Sequence, residues 1–116
     1  MTTKHYRNFL ASGTLIGDKV YNSKKEHIGK IEELMIDLEK GRVGYAVMSF
    51  GGAFGFGNKF FAIPWQTLKV DQDNKCLILD VEKEKFEKAP GFDKDHWPDM
   101  SPEFTQSINT YYNVNL

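Results

Sequence analysis

Between Leu15 and Val81 apolar residues alternate with polar ones at the period of a strand, and helical spacing takes over only near the C-terminus. The stretch Gly41–Leu68, GRVGYAVMSFGGAFGFGNKFFAIPWQTL, organises this pattern. Val43–Phe50 is rich in β-branched and aromatic residues. Its two alternating faces are both apolar, Val43, Tyr45 and Val47 on one and Ala46, Met48 and Phe50 on the other, as in a central strand. Lys59–Ile63 predicts the return strand, which Pro64 should end because it has no N–H for a ladder. Gly51, Gly52, Gly55 and Gly57 join the two strands as a hairpin tip that carries Phe54 and Phe56. The tip either folds back over the barrel mouth or meets a partner.

The neighbouring elements follow from the same periodicity. Leu15–Asn22 predicts a first strand, and Asn22-Ser-Lys-Lys-Glu26 a polar turn. His27–Leu38 predicts a long second strand in which Ile28, Leu34, Ile36 and Leu38 keep even spacing while Ile31 breaks it. A β-bulge near Glu32-Glu33 accounts for the slip, and bulges bend strands as a small barrel requires. Glu39-Lys40-Gly41 is a tight loop with glycine for the left-handed position. Trp65–Leu68 reads as a helical turn or an extended link. Asp71, Asp73 and Asn74 mark a turn before a last strand, Cys76–Val81. The expected barrel core is Ile16, Val20, Ile36, Tyr45, Val47, Ile63 and Leu79.

Past Val81 the pattern changes. Glu84–Lys88 predicts a short helix stopped by Pro90. Ser101 is a good N-cap, Pro102 suits the first helical position and Glu103 the first turn. Phe104, Ile108, Tyr111 and Tyr112 then fall at i, i+4, i+7 and i+8, one apolar stripe on an amphipathic helix that needs a surface. The chain divides into an arm over 1–13, anchored through Tyr6, Phe9 and Leu10, a barrel over 14–82 and a helical extension over 83–116. The fold class is mainly β: a small antiparallel barrel with a C-terminal amphipathic helix.

A length of 116 residues fits one domain, and 41% hydrophobic with 14% aromatic residues is a globular composition. The net charge of −1 gives no global attraction for nucleic acid or an anionic membrane. Lys24, Lys25 and Lys30 form the one compact basic group near the barrel, offset by Glu26, Glu32 and Glu33, so no nucleic-acid partner is expected. The lone Cys76 excludes an internal disulfide. With no signal-peptide-like start and no apolar run of membrane-spanning length, a reducing cytoplasm is the expectation.

Several motifs imitate chemistry without completing it. Gly52–Lys59 nearly spells a phosphate-binding loop, but Asn58 intrudes before Lys59, no Ser or Thr follows, and a strand continues where a helix should begin. Asp71, Asp73 and Asn74 lack the glycine and distal glutamate of a calcium loop. Asp93, Asp95, His96 and Asp99 offer metal-compatible groups at irregular spacing; the plainer reading is a solvated connection anchored by Phe92 and Trp97. His5, His27 and His96 have no partner at motif spacing, and Asp37 opposite Arg42 fits a surface ion pair. No catalytic, cofactor-binding or metal-ligating residue is assigned, and no cofactor is expected.

The signatures Leu15-Ile16-Gly17 with Val20, His27-Ile28-Gly29-Lys30-Ile31, Met35-Ile36-Asp37, Gly41-Arg42-Val43 into Tyr45-Ala46-Val47, and Phe61-Ala62-Ile63-Pro64-Trp65 come in a specific order. In that order the run from Leu15 to Val81 resembles a PRC-barrel domain, the family named for the cytoplasmic domain of the photosynthetic reaction-centre H subunit. Lys88-Ala89-Pro90-Gly91-Phe92 and Trp97-Pro98-Asp99 are similar to the tail of stand-alone bacterial members. The resemblance implies a small, mostly antiparallel barrel used for docking, with one strand expected to follow an Ile-Gly turn at Ile28-Gly29. It implies a non-catalytic interaction module of a bacterial cytoplasm, in some relatives tied to stress physiology. The ribosome-maturation branch of the family implies an RNA- or ribosome-associated alternative. Apart from the resemblance, the Asp93–Asp99 segment or the Phe54/Phe56 tip leaves open a small-ligand- or metal-binding one. Neither the membrane helix of the reaction-centre subunit nor the preceding domain of the ribosome factor is read in these residues, so those particular roles are not expected.

The expected interaction surface is the apolar material without a home in the barrel: Phe54, Phe56, Phe104, Ile108, Tyr111 and Tyr112. A homodimer whose glycine-rich hairpin or C-terminal helix meets its symmetry mate would cover it. The rival is a monomer whose helix packs on its own barrel. Any other protein partner is unknown from sequence.

Overall fold

A computed structural model describes residues 9–50 and 59–114. The elements are α1 (Ser12–Leu15), β1 (Lys19–Tyr21), β2 (His27–Asp37), β3 (Arg42–Phe50), β4 (Lys59–Pro64), a 3-10 turn at Trp65–Thr67, β5 (Leu68–Asp71), β6 (Cys76–Leu79), α2 (Lys83–Glu87), β7 (Phe92–Asp93) and α3 (Pro102–Tyr111). The strands form one sheet in the order β5-β6-β1-β2-β3-β4-β7, antiparallel except for the β1–β6 pair. Leu68, Leu77 and Leu79 from one end of that order share a core with Phe61 and Ile63 near the other. A single sheet brings its two ends to one core only by curling, so the molecule is a barrel-like sheet whose end strands β5 and β7 are not paired with each other.

The predicted long hairpin is present, its strands paired with Ala46 opposite Ile63 and Met48 opposite Phe61, and β4 stops at Pro64. The predicted bulge is present. Ile31 faces Met48 and Glu33 faces Val47, leaving Glu32 as the extra residue, so Ile31 and Leu34 both reach the core. Gly41 takes φ +66° in the loop after β2. Gly29 lies inside β2, between Val20 and Phe50 in the ladder, rather than in a turn leading into it.

Two residues placed in the core by periodicity lie outside it. Ile16 is 41% exposed because the chain before β1 is helical at α1 and turns at Gly17, φ +95°; the predicted strand Leu15–Asn22 shrinks to Lys19–Tyr21, and Leu15 is buried instead. Ile36 is 54% exposed because a second irregularity follows Met35, where Gly44 is the extra residue on β3. The pairing of β1 also ends at Lys30, so the far end of β2 projects with a strand on one side only. Val20, Tyr45, Val47, Ile63 and Leu79 are buried as expected. Of the arm, Phe9 and Leu10 are described and exposed, along a depression beside Leu34 and Trp65; Tyr6 lies outside the described residues.

The Asn22–Glu26 turn is built on one buried polar side chain. Asn22 Oδ1 accepts from the N–H groups of Lys24 and Glu26, both at 3.0 Å, while its Nδ2 donates to Glu26 Oε1 at 2.7 Å. Asn22 therefore closes the turn locally and leaves no buried amide unsatisfied.

The cap on α3 is as predicted: Ser101 Oγ accepts from the Phe104 N–H at 3.1 Å, with Pro102 in the first turn. At the other end Asn113 takes φ +60° and the Val114 N–H returns to Asn109 O at 2.8 Å. Ser101→Ala removes the cap and is expected to lower stability by about 1 kcal/mol, read by urea denaturation, whereas Ser101→Asp retains it. Equal stability of Ser101→Ala and the parent would show that packing alone fixes this helix.

Candidate functional site

The helix stripe finds its surface within the chain. Ile108 is 1% exposed and Tyr112 is buried, both within the barrel's core cluster. Phe104, half-buried, stands edge-on to Tyr45 at 6.2 Å. The half-buried Tyr111 hydroxyl donates to Lys85 O at 2.7 Å, with Lys85 Nζ 5.1 Å from its ring centre, tying α3 to α2. The helix thus packs on its own barrel, and this takes Ile108 and Tyr112 out of the exposed surface. The two-fold expectation is left with the hairpin tip, and Phe54 and Phe56 lie outside the described residues.

With the stripe turned inward, α3 forms one wall of a cleft of about 890 Å³. Thr105, Gln106, Asn109 and Thr110 present amides and hydroxyls from that wall. The facing wall is the projecting end of the β2–β3 hairpin, with Met35, Ile36, Leu38 and Tyr45 as its apolar groups and Asp37 and Glu39 as its charges. Leu38 is 90% exposed, the most exposed large apolar residue among those described. Asp37 Oδ1 accepts from the N–H groups of Glu39 and Lys40 at 3.0 and 3.1 Å, so this carboxylate folds the loop at the cleft's end. Lys40 and Arg42 line a separate depression of about 250 Å³ that shares Asp37. Burial pushes the Tyr45 phenol above its usual range, opposed by a hydrogen bond with Thr105, so it stays neutral in the wall.

Ile36 and Leu38 were missed as surface residues because they keep the even spacing of Ile28 and Leu34, the spacing of a core strand. The usable signal was positional: Leu38 follows the strand's last carboxylate and abuts the polar loop Glu39-Lys40-Gly41, where a core residue has nothing to pack on.

The other candidates serve local structure. Asp93 accepts from the Asp95 N–H at 2.8 Å and lies 3.6 Å from His96 Nδ1, and the Asp95 hydrogen bond is the main reason its carboxyl is held below the usual range. Phe92 and Trp97 pack with Phe60, ring centres 5.3–6.2 Å apart, and pin this segment to β4. Among the described residues no three His, Cys, Asp or Glu side chains converge as a metal site. Asp71 is held below its usual range by the Asn74 side chain first, as a turn-former would be. Lys24 pairs with Glu82 at 3.0 Å and Lys30 with Glu32 at 3.8 Å, which dilutes the basic group. Cys76 is buried, and burial raises its thiol pKa. No helix among the described residues is long and apolar enough to cross a membrane.

No curated protein matches the chain. The family model for the PRC-barrel domain matches residues 7–86, well over half of the 116 residues. The match spans every strand from β1 to β6. With that span and the curled sheet, the chain belongs to the PRC-barrel domain family.

Proposed function

We propose that this protein is a non-catalytic docking module, and that its working surface is the cleft between α3 and the end of the β2–β3 hairpin. The observation that carries the reading is the exposed pair Ile36 and Leu38 beside a cleft of about 890 Å³. Isolated apolar residues on a surface are ordinary, whereas adjacent ones lining a concavity are the usual form of an interaction site. The non-catalytic part is supported by the local roles of the polar groups: Asp37, Asp71 and Asp93 accept from turn N–H groups, and Cys76 is held away from its thiolate form.

The test is selection from a random 12-residue peptide library displayed on phage, with the full chain immobilised. A docking module is expected to yield a convergent family of sequences binding in the micromolar range. Selection that returns only unrelated sequences contradicts the reading.

A further inference from the structure

Five consecutive residues, Met35 to Glu39, line the cleft. The first three, Met35–Asp37, end β2, and Leu38 and Glu39 begin the turn after it. Side chains of a strand alternate between faces, so a cleft reached by three consecutive strand residues follows the strand's edge rather than one face. That edge is open among the described residues. Glu33–Asp37 pairs with β3 on one side, while β1 on the other side ends its pairing at Lys30. The Leu34 N–H bonds instead to the carboxylate of its own neighbour, Glu33 Oε1, at 3.1 Å. Asp37 O turns inward to the Gly41 N–H at 2.8 Å, so the two-residue period turns Ile36 outward.

Resting on the docking reading above, we infer that this cleft takes an extended segment of a partner protein, about five residues long, which adds as a strand to the open edge of β2 and combines apolar side chains with at least one Lys or Arg. The length follows from the helical wall: Pro102 to Thr110 spans about 12 Å of helix axis, and an extended segment of five residues about 13 Å from its first Cα to its last. The extended form follows from what the walls offer. Strand backbone on one side and Gln106 and Asn109 amides on the other satisfy an extended chain's backbone groups, whereas a helix satisfies its own. The cation follows from charge: Asp37 and Glu39 are the charged residues lining the cleft, and both are acidic. The same fact disfavours a second copy of this chain, because two-fold pairing of this edge sets those carboxylates against their own copies.

The test measures binding of the selected peptides to the full chain by fluorescence anisotropy. Leu38→Ser with Glu39→Lys is expected to weaken them by at least about tenfold, from lost apolar burial and reversed charge. Leu38 is almost fully solvated, so the melting temperature should not move. Glu39→Lys alone should weaken Lys- or Arg-containing peptides several-fold and flatten their salt dependence. Lys69→Glu, on the sheet's other edge at β5, should leave binding unchanged. If a convergent family binds but responds to Lys69→Glu and not to the cleft variants, docking stands and this inference falls. The same follows if the family lacks Lys and Arg, or if the full chain sediments as a dimer that the cleft variants dissociate. If no family emerges, both fall.

Discussion

Ile108→Ala is expected to cost about 2–5 kcal/mol, a large part of the stability of a domain this size. The side chain is 1% exposed and belongs to the barrel's own core, so its removal leaves a cavity where α3 crosses the sheet. Ile108→Val, one methylene smaller, should cost only about 0.5–1.5 kcal/mol. The loss should be the same at low and high micromolar protein, because the contact is within one chain. A dimer held together by this stripe would instead show a melting temperature that rises with protein concentration. A chain ending at Pro90 should expose the surface covered by Ile108 and Tyr112 and aggregate. A soluble, cooperative truncated barrel would show that α3 is an appendage.

Gly29→Ala should be nearly as damaging, although it adds a single methyl group. Gly29 sits in the ladder between Val20 of β1 and Phe50 of β3. A Cβ built there collides with the backbone oxygen of Ser49 and lies 2.9 Å from both Cγ and Sδ of Met48. Met48 is fully buried, and β3 is held on its other side by β4 through Met48 and Ser49, so neither neighbour has room to yield. The expected loss is about 3 kcal/mol, at the upper end of overpacking costs. Gly13→Ala, inside α1 with nothing within 4 Å, is the control and should be neutral or slightly stabilising. Urea denaturation of both variants decides it. Parity between them would mean that the β2–β3 ladder is loose enough to absorb the methyl.

Much of the fold could be read from the chain. The alternation in β3 and β4, Pro64 as a stop, the slip at Ile31 and the Ser101-Pro102 cap are local signals with a direct physical cause, and each appears where expected. Signals failed where tertiary context decides. Ile16 and Ile36 have the spacing of core residues, but burial also needs a covering element. Gly17 ends the first extended run early, and β1 is too short to cover the far end of β2. The helix stripe was visible, while its occupant was not, because periodicity shows that a face must be covered and not by what. The cleft was hidden for the same reason: it exists only once α3 is laid across the sheet beside Leu38, and those residues are far apart in sequence.

The most direct test is a titration of the ¹⁵N-labelled full chain with a selected peptide, followed by amide chemical shifts and intermolecular nuclear Overhauser effects. Shifts are expected to concentrate at residues 34–39 and 103–110, with strand-type contacts between the peptide backbone and Ile36. Shifts centred on β5, or contacts from the peptide to one face of the sheet and none along the β2 edge, would contradict this.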